Sequence, residues 1–385
     1  MTIQFIDQQK DLDDTVQNLQ KNEIIAIDLE FDKNYYRYGF NLCLMQIFDG
    51  RVCYLIDPLS KRLSIDTVFR VLENEKIRKV SFAFGEDLRL LHSIGCFPEN
   101  IYDVDFAISL LNYEPASLAN HLNRILGIET ENSSQLSNWY DRPLSDKQIE
   151  YAADDVIHLL TLYNHLHREA CEKGIRHWIE QENKAFVHED YSDLQNNTPL
   201  KEKNKRDFTE QDWYVYSKLI GAREQMAEKL NKPSFKVIRK EVLMDIARSP
   251  GKVQDWEKTR GIHKRLRNSQ IRQKMHEILE GARNQAINKG LSETESAERN
   301  LSKAEKNKIR EQRESVNRAK NELFKPMKEL IENEYGKEVS SFLFSNRIIN
   351  EIVSSEEPNM LPYKVELLKG YARKLNITIE NYLEI

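Results

Sequence analysis

Three apolar segments follow one another near the start of the chain: IIAIDLEF (24–31), LCLMQIF (42–48) and VCYLID (52–57). Their β-branched and aromatic content reads as strand, and the last two flank Asp49-Gly50, a strong hairpin signal. Three sequential antiparallel strands are therefore expected. TVFRVLENEK (67–76) then predicts a helix, RKVSFAF (78–84) a fourth strand, and EDLRLLHSIG (86–95) a helix closed by Gly95. NIYDVDF (100–106) predicts a short fifth strand leading into AISLLN (107–112). Ser117 is placed to cap SLANHLNRIL (117–126), with Gly127 just beyond. Ser145 and Gln148 have capping-box spacing and open a helix expected to run to about Lys173. Antiparallel strands followed by alternating helices and strands predict an α/β domain built on a mixed sheet.

Past that point the alternation ends. LQNNTPLKEKNKRD (194–207) is polar and reads as a linker, and residues 208–285 carry helical periodicity interrupted at Lys232-Pro233 and Ser249-Pro250-Gly251. Residues 291–320 are strongly charged and suit a solvated helix or a helical linker. LFKPMKELI, SFLFSNRIINEIV and VELLKGYARKL then predict further short helices. A length of 385 residues exceeds what one core usually organises. The expected division is an α/β domain over 1–193, a linker over 194–207, and all-α helical domains over 208–290 and 291–385.

Charge follows the same division. Residues 1–200 carry a net −14, residues 201–290 a net +10 and residues 291–385 a net −1. A basic module behind an acidic one fits a polyanionic partner on the first and divalent cations on the second. With 40% apolar and 31% charged residues, the composition is that of a folded rather than a disordered or fibrous chain. No apolar run approaches the roughly 20 residues of a membrane span. The acidic start MTIQFIDQQKDLDD is unlike a signal peptide, so a cytoplasmic location with no membrane contact is expected. Cys43, Cys53, Cys96 and Cys171 form no CxxC pair and read as buried, reduced thiols.

The chemistry is concentrated in the first domain. Asp28 and Glu30 stand two apart in an otherwise apolar strand, so both carboxylates share one face while Ile27 and Leu29 take the other. Two acids in such a strand cost several kcal/mol without compensation, which a cation would supply. Asp87 opens a helix just after the fourth strand. Tyr151 and Asp155 are four apart on a helix, hence on one face. Four carboxylates and a phenol suit two Mg²⁺ or Mn²⁺ ions roughly 4 Å apart, flanking in-line attack on a phosphodiester. Oxygen ligands of this kind fit those ions and not zinc.

IDLEF (27–31), GEDLRLL (85–91) and YAADD (151–155) resemble the three exonuclease motifs of the ribonuclease D family. That family belongs to the DEDD superfamily, in the branch whose third motif is Tyr-x3-Asp, with a ribonuclease H-like sheet. LCLMQI, IYDVDFAISLLN and NWYDRPLSDKQIEYAADDV resemble it as well, and the likeness covers about residues 20–170. Residues 208–285 resemble a helicase-and-RNase-D C-terminal (HRDC) domain, and residues 295–385 a second, divergent one. Carried over by position, the resemblance makes Asp28, Glu30, Asp87 and Asp155 the ligands of two divalent cations and has Tyr151 position the attacking water. It implies a 3′→5′ exoribonuclease acting on RNA with a single-stranded 3′ end, such as tRNA precursors.

Two departures stand out. Phe82 occupies a position where the family often has His, and ETENSSQLSNW (129–139) lacks a basic residue often found there. Both bear on substrate handling more than on the carboxylates. Gln46, on a central strand, is a candidate substrate contact. So are Lys264 and Arg265 among the basic residues Lys236, Arg239, Lys240, Lys258, Arg260 and Arg267, for which a solvated face is the competing reading. Asp103 and Asp105 could approach the site from the fifth strand, and Asp154 reads as a surface acid. His158, His165 and His167 read as packing or surface residues, and Trp213, Tyr214 and Tyr216 as core more than as a stacking platform. A DNA exonuclease, or an inactive nucleic-acid-binding adaptor, are the alternatives. The intact set of acids argues against the adaptor.

Overall fold

The computed structural model describes residues 2–130, 137–189, 191, 200, 202–298, 302–355 and 359–383. The chain forms two units, one of residues 1–30, 42–192 and 302–385, the other of residues 31–41 and 193–301.

The first unit is built on a six-stranded sheet: β1 (Thr2–Ile6), β2 (Ile24–Lys33), β3 (Phe40–Phe48), β4 (Val52–Ile56), β5 (Arg78–Ser81) and β6 (Ile101–Asp103), in the order β1-β4-β3-β2-β5-β6. β3 and β4 are antiparallel across the Asp49-Gly50 turn, with Gln46 opposite Leu55. β1 runs parallel to β4, β2 to β5, and β5 to β6, so the sheet is mixed. β1 escapes a reading of apolar runs because Thr2 to Phe5 are exposed at the sheet edge. Its helices are α1 (Gln9–Leu19), α2 (Asp66–Leu72), α3 (Gly85–Ser93), α4 (Val104–Leu110), α5 (Leu118–His121), α6 (Asp146–Ile157), α7 (Leu159–Glu172) and α8 (Arg176–Val187). The Ser145–Gln148 capping box opens α6. The helix expected to continue to Lys173 breaks at His158, where φ is −96° and ψ −12°, so α6 and α7 are separate.

The second unit contains α9 (Glu210–Leu230), α10 (Ser234–Val237), α11 (Lys240–Arg248) and α12 (Ser269–Asn288). Asn231, in the left-handed region at φ 46°, ends α9 just before Lys232-Pro233. Trp256 is fully buried and its Nε1–H donates to the Leu266 carbonyl at 2.8 Å. Phe208 stacks on buried Tyr216, and Trp213 packs beside both, so Trp213 and Tyr216 belong to this core. Residues 194–199 and 201 of the expected linker lie outside the described residues, and Glu202–Asp207 form a 3₁₀ helix.

Residues 302–383 add α13 (Lys303–Ala319), α14 (Lys325–Tyr335), α15 (Lys337–Leu343), α16 (Asn346–Ser354) and α17 (Pro362–Lys374). Set apart above as a second helical domain, they share one core with the sheet: Leu323, Phe324, Met327, Leu343 and Tyr363 pack with Ala107, Leu166, Trp178 and Ile179. Trp178 stacks on Tyr363 at 5.4 Å between ring centroids, the Tyr363 hydroxyl donates to Glu182, and Lys364 pairs with Glu182 at 2.8 Å. Amphipathic helices announce an apolar face but not the surface that it covers. Among the cysteines, Cys43, Cys53 and Cys96 are buried, whereas Cys171 is exposed, contrary to expectation. No helix among the described residues is long and apolar enough to cross a membrane.

Candidate active site

β2 sets Asp28 and Glu30 on one face while Ile25, Ile27 and Leu29 are buried on the other. α6 turns Asp155 toward the same place. One carboxylate oxygen from each of Asp28, Glu30 and Asp155 lies within 4.8 Å of the others. Asp87, in the first turn of α3, is buried, and its Oδ1 has no hydrogen-bond partner among the described residues.

Burial raises the Asp28 carboxyl well above the usual carboxylate range, and the charges of Asp155, Asp87 and Glu30 push it further. Glu30 is raised in the same way, by burial and then by Asp155 and Asp87. Asp87 is pushed up to about 8, mainly by burial, with Asp103 and Glu86 adding to it. Asp155 is pushed up to about 7 by burial, against a hydrogen bond from Tyr151 that favours its charged form. The charges that act on Asp28 and Glu30 are thus those of other acids, set against one hydrogen bond from the Leu29 backbone to Asp28. Three acids held this close, with the charge of Asp87 acting on two of them and a bare buried oxygen on Asp87, form a hard-oxygen pocket that divalent cations fit.

Tyr151 lies one helical turn before Asp155 and hydrogen-bonds to it. Its phenol is pushed far up by burial, then by Asp155, Glu30 and Asp28, so it is a neutral O–H donor. The Trp139 ring lies 6.1 Å away.

Two residues hold these elements: Asp103, read above only as able to approach the site, and Arg142, which was given no role. Asp103 caps α4, where it accepts the Asp105 N–H, and also accepts the N–H groups of Ala83 and Phe84 at 2.8 and 2.7 Å. It fixes the turn into α3, in which Ala83 takes a left-handed φ of 52°, and so acts on Asp87 through the backbone. Arg142 donates to both oxygens of Asp57 at the end of β4 and to the carbonyls of Cys43, Trp139 and Asp141. The RPLS sequence held the clue, but the partner Asp57 lies 85 residues away.

Gln46 is fully buried on β3, with neither amide atom partnered among the described residues. Phe82 packs edge to face against His121, 5.8 Å between centroids. In the second unit, Lys264 and Arg265 are exposed, as are Lys236, Arg239, Lys240, Lys258, Arg260 and Arg267. Residues 131–136 of the segment lacking a basic residue lie outside the described residues.

Residues 3–170 match a family of 3′-5′ exonucleases. A ribonuclease D of Zymomonas mobilis is 33% identical over 274 residues, covering 69% of this chain and 68% of that protein. A ribonuclease D of Bartonella henselae is 27% identical over 265 residues, covering 68% of this chain and 65% of that protein. The alignments therefore span about two thirds of these relatives' length. The crystal structure of Escherichia coli RNase D, described as an exoribonuclease involved in structured RNA processing, matches across 100% of both chains with a TM-score of 0.69 at 22% identity, a likeness of fold. The acidic pocket stands on the fold shared with that structure, and with one relative a third identical over most of its length the chain belongs to the ribonuclease D family.

Proposed function

We propose that this protein is a metal-dependent 3′→5′ exoribonuclease that hydrolyses phosphodiester bonds at single-stranded RNA 3′ ends, as in tRNA precursors, in the cytoplasm. The observation that carries the proposal is the convergence of Asp28, Glu30 and Asp155 within 4.8 Å beside buried Asp87 and neutral Tyr151. Asp28, Glu30, Asp87 and Asp155 are the residues that hold two Mg²⁺ or Mn²⁺ ions. Such ions, when bound, lower the pKa of water and take up charge on the scissile phosphate. Tyr151 is too weak an acid to serve as base near neutral pH, so its role is to orient the nucleophile by hydrogen bonding. Asp103 and Arg142 position the pocket through α3 and α6. Residues 208–290 supply a basic HRDC-type module that contacts phosphates.

The test is Asp28→Ala, assayed for cleavage and for binding on RNA and DNA oligonucleotides of one sequence. Loss of cleavage with retained RNA binding is expected. Unchanged cleavage would remove the carboxylate pocket from the chemistry, and a DNA preference would make the enzyme an exodeoxyribonuclease.

A further inference from the structure

The second unit carries a group of exposed aromatic rings that the chemistry above does not use. Tyr35 and Tyr36, between β2 and β3, are 61% and 37% exposed, and Phe235 of α10 is 52% exposed. Single exposed rings are ordinary; three gathered on one surface are not. Tyr35 and Tyr36 meet edge to face at 4.9 Å. The Lys236 ammonium stands 4.9 Å from the Tyr35 centroid, 5.9 Å from Tyr36 and 5.5 Å from Phe235, and donates to the Tyr35 carbonyl at 2.6 Å. Residues 201 positions apart thus meet around one cation.

The loop that presents the tyrosines is built. The Asp32 carboxylate, 5% exposed, accepts the N–H groups of Tyr35, Tyr36 and Arg37 at 2.8, 3.1 and 2.7 Å. Besides Lys236, further cations stand on the neighbouring segment, while Glu224 accepts the Ser234 hydroxyl next to Phe235. His263 N–H donates to the Val237 carbonyl at 2.8 Å, which brings exposed Lys264 and Arg265 next to α10. Burial, and then the charges of Lys232, Arg265, Lys264 and Arg267, push the His263 imidazole down.

We propose that Tyr35, Tyr36, Phe235 and Lys236 form a stacking platform for the bases of single-stranded RNA, with Lys264 and Arg265 holding its phosphates. This rests on the exoribonuclease reading. Rings take any base by its face, and cations beside them follow the backbone, so the site binds strands without regard to sequence. An apolar protein anchor would bury the ammonium among the rings, whereas a polyanion uses it.

The test uses the full-length protein in EDTA with a fluorescent 12-nucleotide RNA, and in parallel the metal-supported cleavage of a dinucleotide. Tyr35→Ala with Phe235→Ala is expected to raise the Kd for the 12-mer on the order of ten- to a hundredfold while dinucleotide cleavage stays within twofold. Tyr35→Trp with Phe235→Trp, which keeps both rings, binds as the wild type does. A 12-mer Kd unchanged in the alanine variant overturns the platform, whatever the cleavage assay shows. Wild-type binding that the alanine variant loses, in a protein that cleaves no RNA, keeps the platform and removes the exonuclease reading.

Discussion

The Arg142 guanidinium forks onto Asp57, Nε to Oδ2 at 2.9 Å and Nη2 to Oδ1 at 2.8 Å. Its remaining N–H groups reach the carbonyls of Trp139, Asp141 and Cys43 at 2.7–2.8 Å. One side chain thereby joins β3 and β4 to the segment leading into α6, and α6 carries Tyr151 and Asp155. The Arg142 side chain is 23% exposed and that of Asp57 is 7% exposed.

Arg142→Lys keeps the charge and loses the fork. Unfolding in urea is expected to show a loss of about 3 kcal/mol, the low end of the range for breaking a buried pair. Cleavage kinetics should show a larger fall in kcat than rise in KM, because α6 shifts relative to Asp28. A KM effect alone would place Arg142 in substrate binding.

The acids make stability pH-dependent in a defined direction. Their folded values lie above their ordinary ones, with Asp155 and Asp103 at about 7 and Asp87 at about 8. Between roughly pH 4 and 8 the folded chain therefore holds more protons than the unfolded chain, and stability falls as pH rises. In EDTA the Tm is expected to drop from pH 5 to pH 8.5. Mn²⁺ should raise it more at pH 8.5 than at pH 5, since the ion competes with protons. Asp28→Asn should raise the Tm in EDTA at pH 8.5 and weaken the Mn²⁺ effect. A Tm that climbs with pH in EDTA would contradict the crowding of these acids.

Tyr151→Phe deletes the hydroxyl that donates to Asp155 and leaves the ring beside Trp139. An orienting role predicts a fall in kcat of roughly 10²-fold, the low end of what a positioned proton-handling group contributes. Mn²⁺ affinity, measured by calorimetry, should change little. A matching loss of Mn²⁺ affinity would mean that the phenol shapes the cation site itself.

Gly336 joins α14 to α15 at φ 103°, and a Cβ there would lie 2.1–2.2 Å from the Asn112 side chain. Asn112 Oδ1 accepts the Glu338 N–H at 2.9 Å, so that side chain cannot move away freely. Gly336→Ala is expected to cost about 1–3 kcal/mol through backbone strain, and more through the clash. Limited proteolysis should cut residues 302–383 sooner in this variant.

What could be read from the sequence followed local rules. Asp28 and Glu30 share a face because strand periodicity is two, and Tyr151 meets Asp155 because α-helical periodicity is near four. The capping box at Ser145 was legible for the same reason. The bracing role of Asp103 was not: two of its donors are N–H groups of a turn 19 and 20 residues earlier, which nothing in its neighbours records. β1 was missed because an edge strand with one buried residue has no apolar run. The packing of α15 onto α4 and of α17 onto α8 depends on which apolar faces meet. The ring group around Lys236 likewise joins segments with no common pattern.

The most direct test of the central claim uses 5′-labelled RNA with Mg²⁺ or Mn²⁺, an EDTA control and Asp155→Ala in parallel. A ladder shortening from the 3′ end, dependent on the ion, stronger on RNA than on the matching DNA and absent in Asp155→Ala, is the predicted result. Cleavage that persists in EDTA or in Asp155→Ala, or that begins within the strand, would contradict a cation-dependent 3′→5′ exoribonuclease centred on these acids.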